Sequence, residues 1–285
     1  MNTGASTPLI QVRDLEFRYT PDASPVLRGV DLAIGRGEFV ALLGQNGAGK
    51  TTLAKHFNGL LRPTAGDVLI DGKSTGELTL TELARRVGYC YQNPDHQIFA
   101  PTVEEEVRFG PDNLGIAADR AADLVTRALD LVGLTAHRAK NPFVLGRGQR
   151  QLLAVASVIA MDPPAVVIDE PTTGMDLTGA EAIMKLLAER AAEGRTIVVI
   201  THDMDVVAEY VPRVVVMAAG QVLADGPTHD VLRRTDILAS ARLVPPAAVT
   251  LSDQLSHLGV GRRGTVSAIA EDLTTWMGDR RARRV

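Results

Sequence analysis

One short run of residues restricts what this chain can become. Gly44-Gln45-Asn46-Gly47-Ala48-Gly49-Lys50-Thr51 matches the pattern G-x-x-x-x-G-K-[ST], and Thr52 follows it. Glycines at these places let the backbone curl so that successive N–H groups point inward at phosphate oxygens. Lys50 adds a point charge to the same spot, and the Thr51 hydroxyl can ligate Mg²⁺. The pattern has this meaning only between a strand and a helix, and both are legible. The apolar run from Glu38 to Leu43 reads as a buried strand, and Thr52 to Asn58 reads as the helix whose positive N-terminal end faces the phosphates. The run therefore implies a bound nucleoside triphosphate.

The bulk properties narrow the setting. The 285 residues suffice for one large domain with an appendage, and a 45% hydrophobic content supports a sizeable core. The formal net charge of −4 gives no reason to expect a nucleic-acid partner. The single cysteine, Cys90, allows no disulfide within the chain and fits a reducing compartment. Met1 to Pro8 is polar, has no apolar signal core, and reads as a disordered lead-in. The apolar stretch near Leu152 to Met161 is too short to span a bilayer and holds Ser157. A soluble protein is expected, whose role at a membrane runs through a partner.

Patterning along the chain predicts an α/β fold. Strands are expected at Ile10–Phe17, Val30–Ile34, Asp67–Ile70, Val87–Tyr91, Ala165–Ile168, Thr196–Ile200, Arg213–Met217 and Gln221–Leu223. Thr102-Val103-Glu104-Glu105 has the form of a capping box and should start a helix. A further helix is expected over Ala118–Val132, burying Leu124, Ala128 and Leu131 and ending at Gly133. A long apolar helix follows from about Gly148 to Met161, and Ile183, Leu186 and Leu187 mark the next. Apolar strands alternating with amphipathic helices argue for a mostly parallel sheet. Beyond Ile237 the pattern weakens, Pro245-Pro246 breaks it, and two short helices are expected near Leu251–Leu258 and Thr265–Trp276.

A second acidic motif lies downstream. Ala165-Val166-Val167-Ile168 ends in Asp169-Glu170. A buried parallel strand would deliver Asp169 at its carboxyl end, where a second Mg²⁺ ligand is needed beside a phosphate-binding loop. Glu170 could polarise the attacking water.

In order along the chain, these motifs resemble an ABC-type ATPase from about Leu9 to Leu232. The resemblance implies the P-loop NTPase cassette fold: a mostly parallel core sheet, an antiparallel β subdomain and a helical signature subdomain. It places the nucleotide-binding domain at 9–236, its helical subdomain at about 92–162, and a small helical appendage at 237–285. Gln92, in Tyr91-Gln92-Asn93-Pro94, matches the Q-loop glutamine, a contact for Mg²⁺ and water. Leu145-Gly146-Arg147-Gly148-Gln149 stands where the signature LSGGQ belongs. Asp176, in Thr173-Gly174-Met175-Asp176, matches the D-loop, and His202 the switch histidine. Tyr19 falls where an aromatic ring stacks on adenine. Leu15, Phe17 and Tyr19 share a strand face, which assigns Phe17 to the core and leaves Tyr19, at the strand end, as the stacker.

The signature departs from its family. Gly146 replaces the serine and Arg147 a glycine. In the family this segment caps the γ-phosphate of ATP bound to the opposite subunit. Losing the hydroxyl could remove ~1.5–3 kcal/mol of binding. The Arg147 guanidinium matches phosphate oxygens and could compensate.

Gln92 to Phe99, Thr102 to Val107 and Phe109 to Gly115 are similar to the ATPase subunit of energy-coupling factor (ECF) transporters, importers of vitamins or of cobalt and nickel. The basic residue in the signature, the Arg150-Gln151 after it and the short appendage are similar to that group as well. The implied partners are a second ATPase subunit, a transmembrane coupling subunit that meets Asp95 to Phe99, and a substrate-binding membrane subunit, all at the cytoplasmic face of the membrane. An ABC ATPase of another importer or exporter is the alternative. A chromosome-structuring ATPase would separate its nucleotide motifs with a long coiled coil, and no sustained heptads lie between Lys50 and Asp169. A translation factor of this superfamily would carry two cassettes, and a P-loop kinase or GTPase would lack the Gln, signature and His series. The terminal run Arg280-Arg281-Ala282-Arg283-Arg284 reads either as solvated charge or as a contact for anionic lipid. Deleting residues 280–285 is expected to leave ATP hydrolysis unchanged. Comparing low-salt binding to anionic liposomes before and after the deletion separates the two readings.

Overall fold

Strands that bury both of their faces organise the chain. The computed structural model describes residues 7–255, 265 and 269–275. In chain order the elements are β1 (Ile10–Phe17), β2 (Leu27–Ile34), β3 (Phe39–Leu43), α1 (Lys50–Phe57), β4 (Ala65–Ile70), β5 (Lys73–Ser74), α2 (Leu80–Ala84) and β6 (Val87–Cys90). Then come α3 (Val103–Asn113), α4 (Ala118–Leu131), α5 (Arg147–Ile159), β7 (Ala165–Asp169), α6 (Leu177–Ala192), β8 (Thr196–Ile200) and α7 (Met204–Tyr210). The last are β9 (Arg213–Ala218), β10 (Gln221–Pro227), α8 (Thr228–Val231), α9 (Thr235–Ser240) and α10 (Ala247–Leu255).

Among the described residues these strands form two sheets. The larger has the order β10-β9-β3-β8-β7-β6. It is parallel from β9 to β6, and β10 pairs antiparallel at its edge. The smaller, β2-β1-β4-β5, is antiparallel. Alternation along each central strand feeds two cores. Phe39, Ala41 and Leu43 of β3 enter one cluster, with Val166 and Ile168 of β7 and with residues from α3 to α7. Val40 and Leu42 enter the other, with Ala165 and Val167, under β1, β2, β4 and α1. The small sheet therefore closes one face of the large sheet and the helices close the other.

Helices α3, α4 and α5 lie between β6 and β7 in the chain and pack on one another. Thr102 caps α3 by accepting the Glu105 N–H at 3.2 Å. The reciprocal half of the expected capping box is absent. Glu106 turns back instead and accepts the N–H groups of Phe99 and Ala100, each at 2.9 Å. In α4 the buried face is one step away from the expected one. Ala121, Val125, Ala128 and Leu129 are buried, whereas Leu131 is exposed and Leu124 half-buried. The sequence offers an apolar residue at nearly every place on that side, and only contact with α3 and α5 chooses among them.

At the far end α9 straddles the expected boundary at 236/237, and its Leu238 is buried in the main core. The penultimate helix starts earlier than the expected Leu251–Leu258: α10 begins at Ala247, immediately after Pro245-Pro246. Its first turn is fixed by Asp205, whose carboxylate accepts the Ala247 N–H at 3.2 Å. Residues 269–275 are helical, within the expected last helix. Residues 1–6 of the lead-in and the arginine run at 280–284 lie outside the described residues. No helix among the described residues is long and apolar enough to cross a membrane.

The face of α4 is testable. Leu129→Ala should lower the unfolding free energy by about 2–5 kcal/mol, the range for truncating a buried leucine. Leu131→Ala should change it by no more than about 0.5 kcal/mol, as a surface substitution does. Urea denaturation of the full chain measures both, and equal effects would contradict the assigned face.

Candidate nucleotide site

The phosphate loop leaves the carboxyl end of β3, whose five residues are all buried. Its backbone demands glycine in two ways. Gly44 has φ +154°, and a Cβ there would meet the Met217 carbonyl oxygen at 2.3 Å. Gly49 has φ +100° and is pressed against Leu27 and the Val26 carbonyl. A side chain at either position would push the loop off β9 or β2. Lys50, the first residue of α1, folds back into the loop. Its Nζ donates to the carbonyls of Gly44 at 2.6 Å and Gln45 at 3.0 Å. Burial lowers the Lys50 pKa, opposed by the charges of Glu170 and Asp169.

The loop meets the acidic strand end through one residue. Thr51 Oγ1 donates to Asp169 Oδ2 at 2.8 Å. Tyr89 on β6 donates its hydroxyl to the same oxygen at 3.2 Å. Burial raises the Asp169 pKa, and these two hydrogen bonds pull against it. Glu170 follows in the left-handed region at φ +52°, a conformation that is uncommon for a residue with a side chain. The turn is fixed because the Glu170 N–H donates to the Ile200 carbonyl at 2.7 Å, beyond the last β7–β8 pair. It aims the buried carboxylate at the next loop. Oε1 lies 2.9 Å from His202 Nδ1, and Oε2 lies 3.5 Å from the Thr201 hydroxyl. His202 itself is largely exposed.

A cleft of about 400 Å³ is lined by Tyr19, Asn46 to Thr52, Gln92, Asp169 and Glu170. Gly44, Gln45 and His202 line the adjoining hollow. The Tyr19 ring is exposed, stands edge-on to Phe17 with centroids 4.9 Å apart, and has its hydroxyl 3.2 Å from Thr52 Oγ1. Gln92 is exposed at the rim. The oxygen donors of Thr51, Asp169 and Gln92 suit a hard cation, whose other ligands would be phosphate and water. Among the described residues no cluster of three or more His, Cys, Asp or Glu side chains could hold a metal ion by itself.

The signature residues do not line this cleft. Leu145 is buried in the helical core. Gly146 stands at the start of α5, and its N–H donates to Gln149 Oε1 at 3.2 Å. Gly148 faces Met175, and the Arg147 side chain lies across Gly174, where a Cβ would come within 2.6 Å of its Nε. Asp176 caps α6 by accepting the Gly179 N–H at 2.8 Å. Within the Asp95–Phe99 segment, Gln97 points inward, contrary to a purely partner-facing role. Its amide accepts from Tyr91 N–H at 3.1 Å and donates to Ala154 O and Ser157 Oγ at 2.8 and 3.0 Å. Asp95 is bound by Arg150 of α5 at 2.8 Å, so the segment that follows Gln92 is tied to α5. Phe99 is exposed and pairs edge-on with exposed Phe109 at 4.6 Å. Sequence reasoning missed Tyr89 and Thr201. Tyr89 carried a readable signal, a polar-tipped aromatic inside an expected strand, which the structure buries.

The ABC transporter family profile matches residues 27–173. The energy-coupling factor transporter ATP-binding protein EcfA of Methanocaldococcus jannaschii is 44% identical over 250 residues, covering 87% of this chain and 89% of that protein. Two putative ABC transporter ATP-binding proteins, from Caldanaerobacter subterraneus and Methanosarcina acetivorans, are also 44% identical, and the chain spans 43% and 41% of their lengths. Among solved structures, cbiO1 from Clostridium perfringens, part of the ABC transporter complex cbiONQ, superposes with a TM-score of 0.75 at 34% identity, covering 89% of this chain and 98% of that one. A dimeric ATP-binding cassette in a post-hydrolysis state with ADP and Pi gives 0.69 at 27% identity, covering 77% and 98%. The chain belongs to the ABC transporter ATP-binding family, with EcfA proteins among its relatives.

Proposed function

We propose that the chain binds and hydrolyses ATP to power an ECF-type importer of a vitamin or transition-metal ion, at the cytoplasmic face of the membrane. The observation that carries this reading is a division within the chain. The phosphate loop, Asp169, Glu170 and His202 converge on one site, while the start of the signature helix lies outside the cleft. A complete site then needs a second cassette, identical or paralogous, stacked head to tail so that each signature covers the other's nucleotide. The dimeric cassette with ADP and Pi supports this arrangement. The EcfA relatives and the cbiO1 neighbour support a transmembrane coupling subunit and a substrate-binding membrane subunit as partners.

Each residue has a part in that reaction. The loop amides and Lys50 bind the β- and γ-phosphates, with Lys50 exchanging its carbonyl partners for phosphate oxygens. Mg²⁺, when bound, neutralises phosphate charge, and Thr51, Asp169 and Gln92 are the residues that would hold it, directly or through water. Glu170 accepts a proton from the attacking water through its carboxylate. His202 fixes Oε1 of Glu170 from the solvent side. Tyr19 supports the base. Closure and reopening of the pair convert the chemistry into movement of the membrane subunits. The bridge between Asp95 and Arg150 would carry that movement between the segment after the Q-loop and the signature helix.

Glu170→Gln keeps size and hydrogen bonding and removes the base. ATP binding should persist while hydrolysis falls by at least ~10²-fold, and an ATP-bound dimer should accumulate on size exclusion. Unchanged turnover would remove Glu170 from the mechanism. The membrane-facing surface has its own test. Replacing His96 and Phe99 together with Ala should leave ATP binding by the isolated chain intact and weaken co-purification with the transmembrane subunit, because both side chains are exposed and neither lines the cleft. Normal assembly and transport by that variant would argue against the ECF reading. Recovery of a different class of membrane protein with the unaltered chain would favour another ABC importer or exporter.

A further inference from the structure

Asp169 is held by a residue that belongs to no nucleotide motif. Tyr89 is a buried residue of β6, and its register partner on parallel β7 is Val167. Asp169 lies two residues beyond that partner and so shares its side of the sheet. Alternation places both on the face toward α1: Val87, Tyr89, Ala165 and Val167 enter the cluster under the small sheet, whereas Cys90, Val166 and Ile168 enter the opposite one. A diagonal of two residues between neighbouring strands is within the reach of a tyrosine. The edge-on ring of Tyr91, 5.2 Å away, helps to set the ring of Tyr89.

The consequence falls on the carboxylate. Oδ2 accepts both Thr51 Oγ1 at 2.8 Å and the Tyr89 hydroxyl at 3.2 Å. Among the described residues no donor reaches Oδ1 of Asp169. Two donors satisfy one oxygen and turn the carboxylate so that the other is free. Beside a carboxylate oxygen the phenol hydroxyl is the donor. A phenylalanine would fill the same space and leave the orientation of a buried carboxylate to Thr51 alone.

We propose that Tyr89 is a positioning residue for the cation-dependent step: with Thr51 it saturates Oδ2 of Asp169 and leaves Oδ1 for a divalent cation or its bound water. The proposal rests on the reading of Asp169 as a cation-holding residue, and the test separates the two. In the full chain, Tyr89→Phe removes one hydroxyl and nothing else. The Mg²⁺ concentration for half-maximal ATP hydrolysis should rise about tenfold, the low end for losing an outer partner of a metal ligand. The gain in affinity for a non-hydrolysable ATP analogue on adding Mg²⁺ should shrink by a similar factor. Binding of the same analogue in EDTA should stay within about twofold, because no phosphate contact is touched. Tyr89→Met, which fills space without a donor, should show the same Mg²⁺ shift and supplies the test if the first variant folds poorly. A wild-type Mg²⁺ requirement in either folded variant, with only a lower melting temperature, would reduce Tyr89 to a packing residue. Asp169→Asn is measured alongside. A normal Mg²⁺ requirement in that variant would overturn the reading of Asp169 and this proposal with it. A shift in Asp169→Asn without one in the Tyr89 variants would overturn the proposal alone.

Discussion

The hydrogen bond from Thr51 to Asp169 joins two segments that are far apart in the chain. One end belongs to the helix that follows the phosphate loop and the other to a strand two places away in the sheet, with β8 between them. It forms because β3, β8 and β7 run parallel and end at the same level, so that their polar termini emerge together. The interior of each strand is apolar on both faces, which fixes it inside the sheet. A one-residue slip would place a carboxylate in one of the two cores. The position of the chemistry is therefore a consequence of how the strands are buried.

That arrangement concentrates charge where water is scarce. Lys50, Asp169 and Glu170 are all buried, with relative exposures of 7%, 5% and 6%. Each has specific partners: loop carbonyls for Lys50, two hydroxyls on Oδ2 of Asp169, and the His202 ring and Thr201 hydroxyl for Glu170. Removing one member of such a set leaves an under-compensated charge, which is far more costly than losing a surface ion pair. The left-handed turn at Glu170 is a further local strain, of order 1–3 kcal/mol, held by the hydrogen bond to Ile200. Strain and buried charge at one strand end mark a place shaped for reactivity.

The unusual signature acquires a physical context. With glycine at 146 the start of α5 has no side-chain cap, and only Gln149 Oε1 reaches back to the Gly146 N–H. Arg147 makes no hydrogen bond or ion pair among the described residues, and it lies over Gly174 in the turn that leads to Asp176. The glycine at 174 is what makes room for it. The arginine and the turn are thus matched to each other within one chain, although they are separated in sequence by α5 and β7.

Motifs whose spacing is set by backbone geometry were legible in the sequence. A phosphate loop must have its glycines and lysine at fixed intervals, and an apolar run ending in two acids, common by itself, gains its meaning from lying downstream of such a loop. The central strands, the loop helix and the placing of Asp169, Glu170 and His202 beside the loop could be read in this way. The buried face of α4, the inward turn of Gln97, the start of α10 and the hold of Tyr89 on Asp169 could not. Each depends on which neighbours arrive from distant parts of the chain. Leu131 is as apolar as Leu129, and only the position of the neighbouring elements exposes one and buries the other. A tyrosine in a buried strand signals that its hydroxyl needs a partner. The register between β6 and β7 decides that the partner is Asp169. Local geometry is written in short patterns that a linear reading recovers, whereas contacts between elements are fixed only when the sheet and its helices close around a common core.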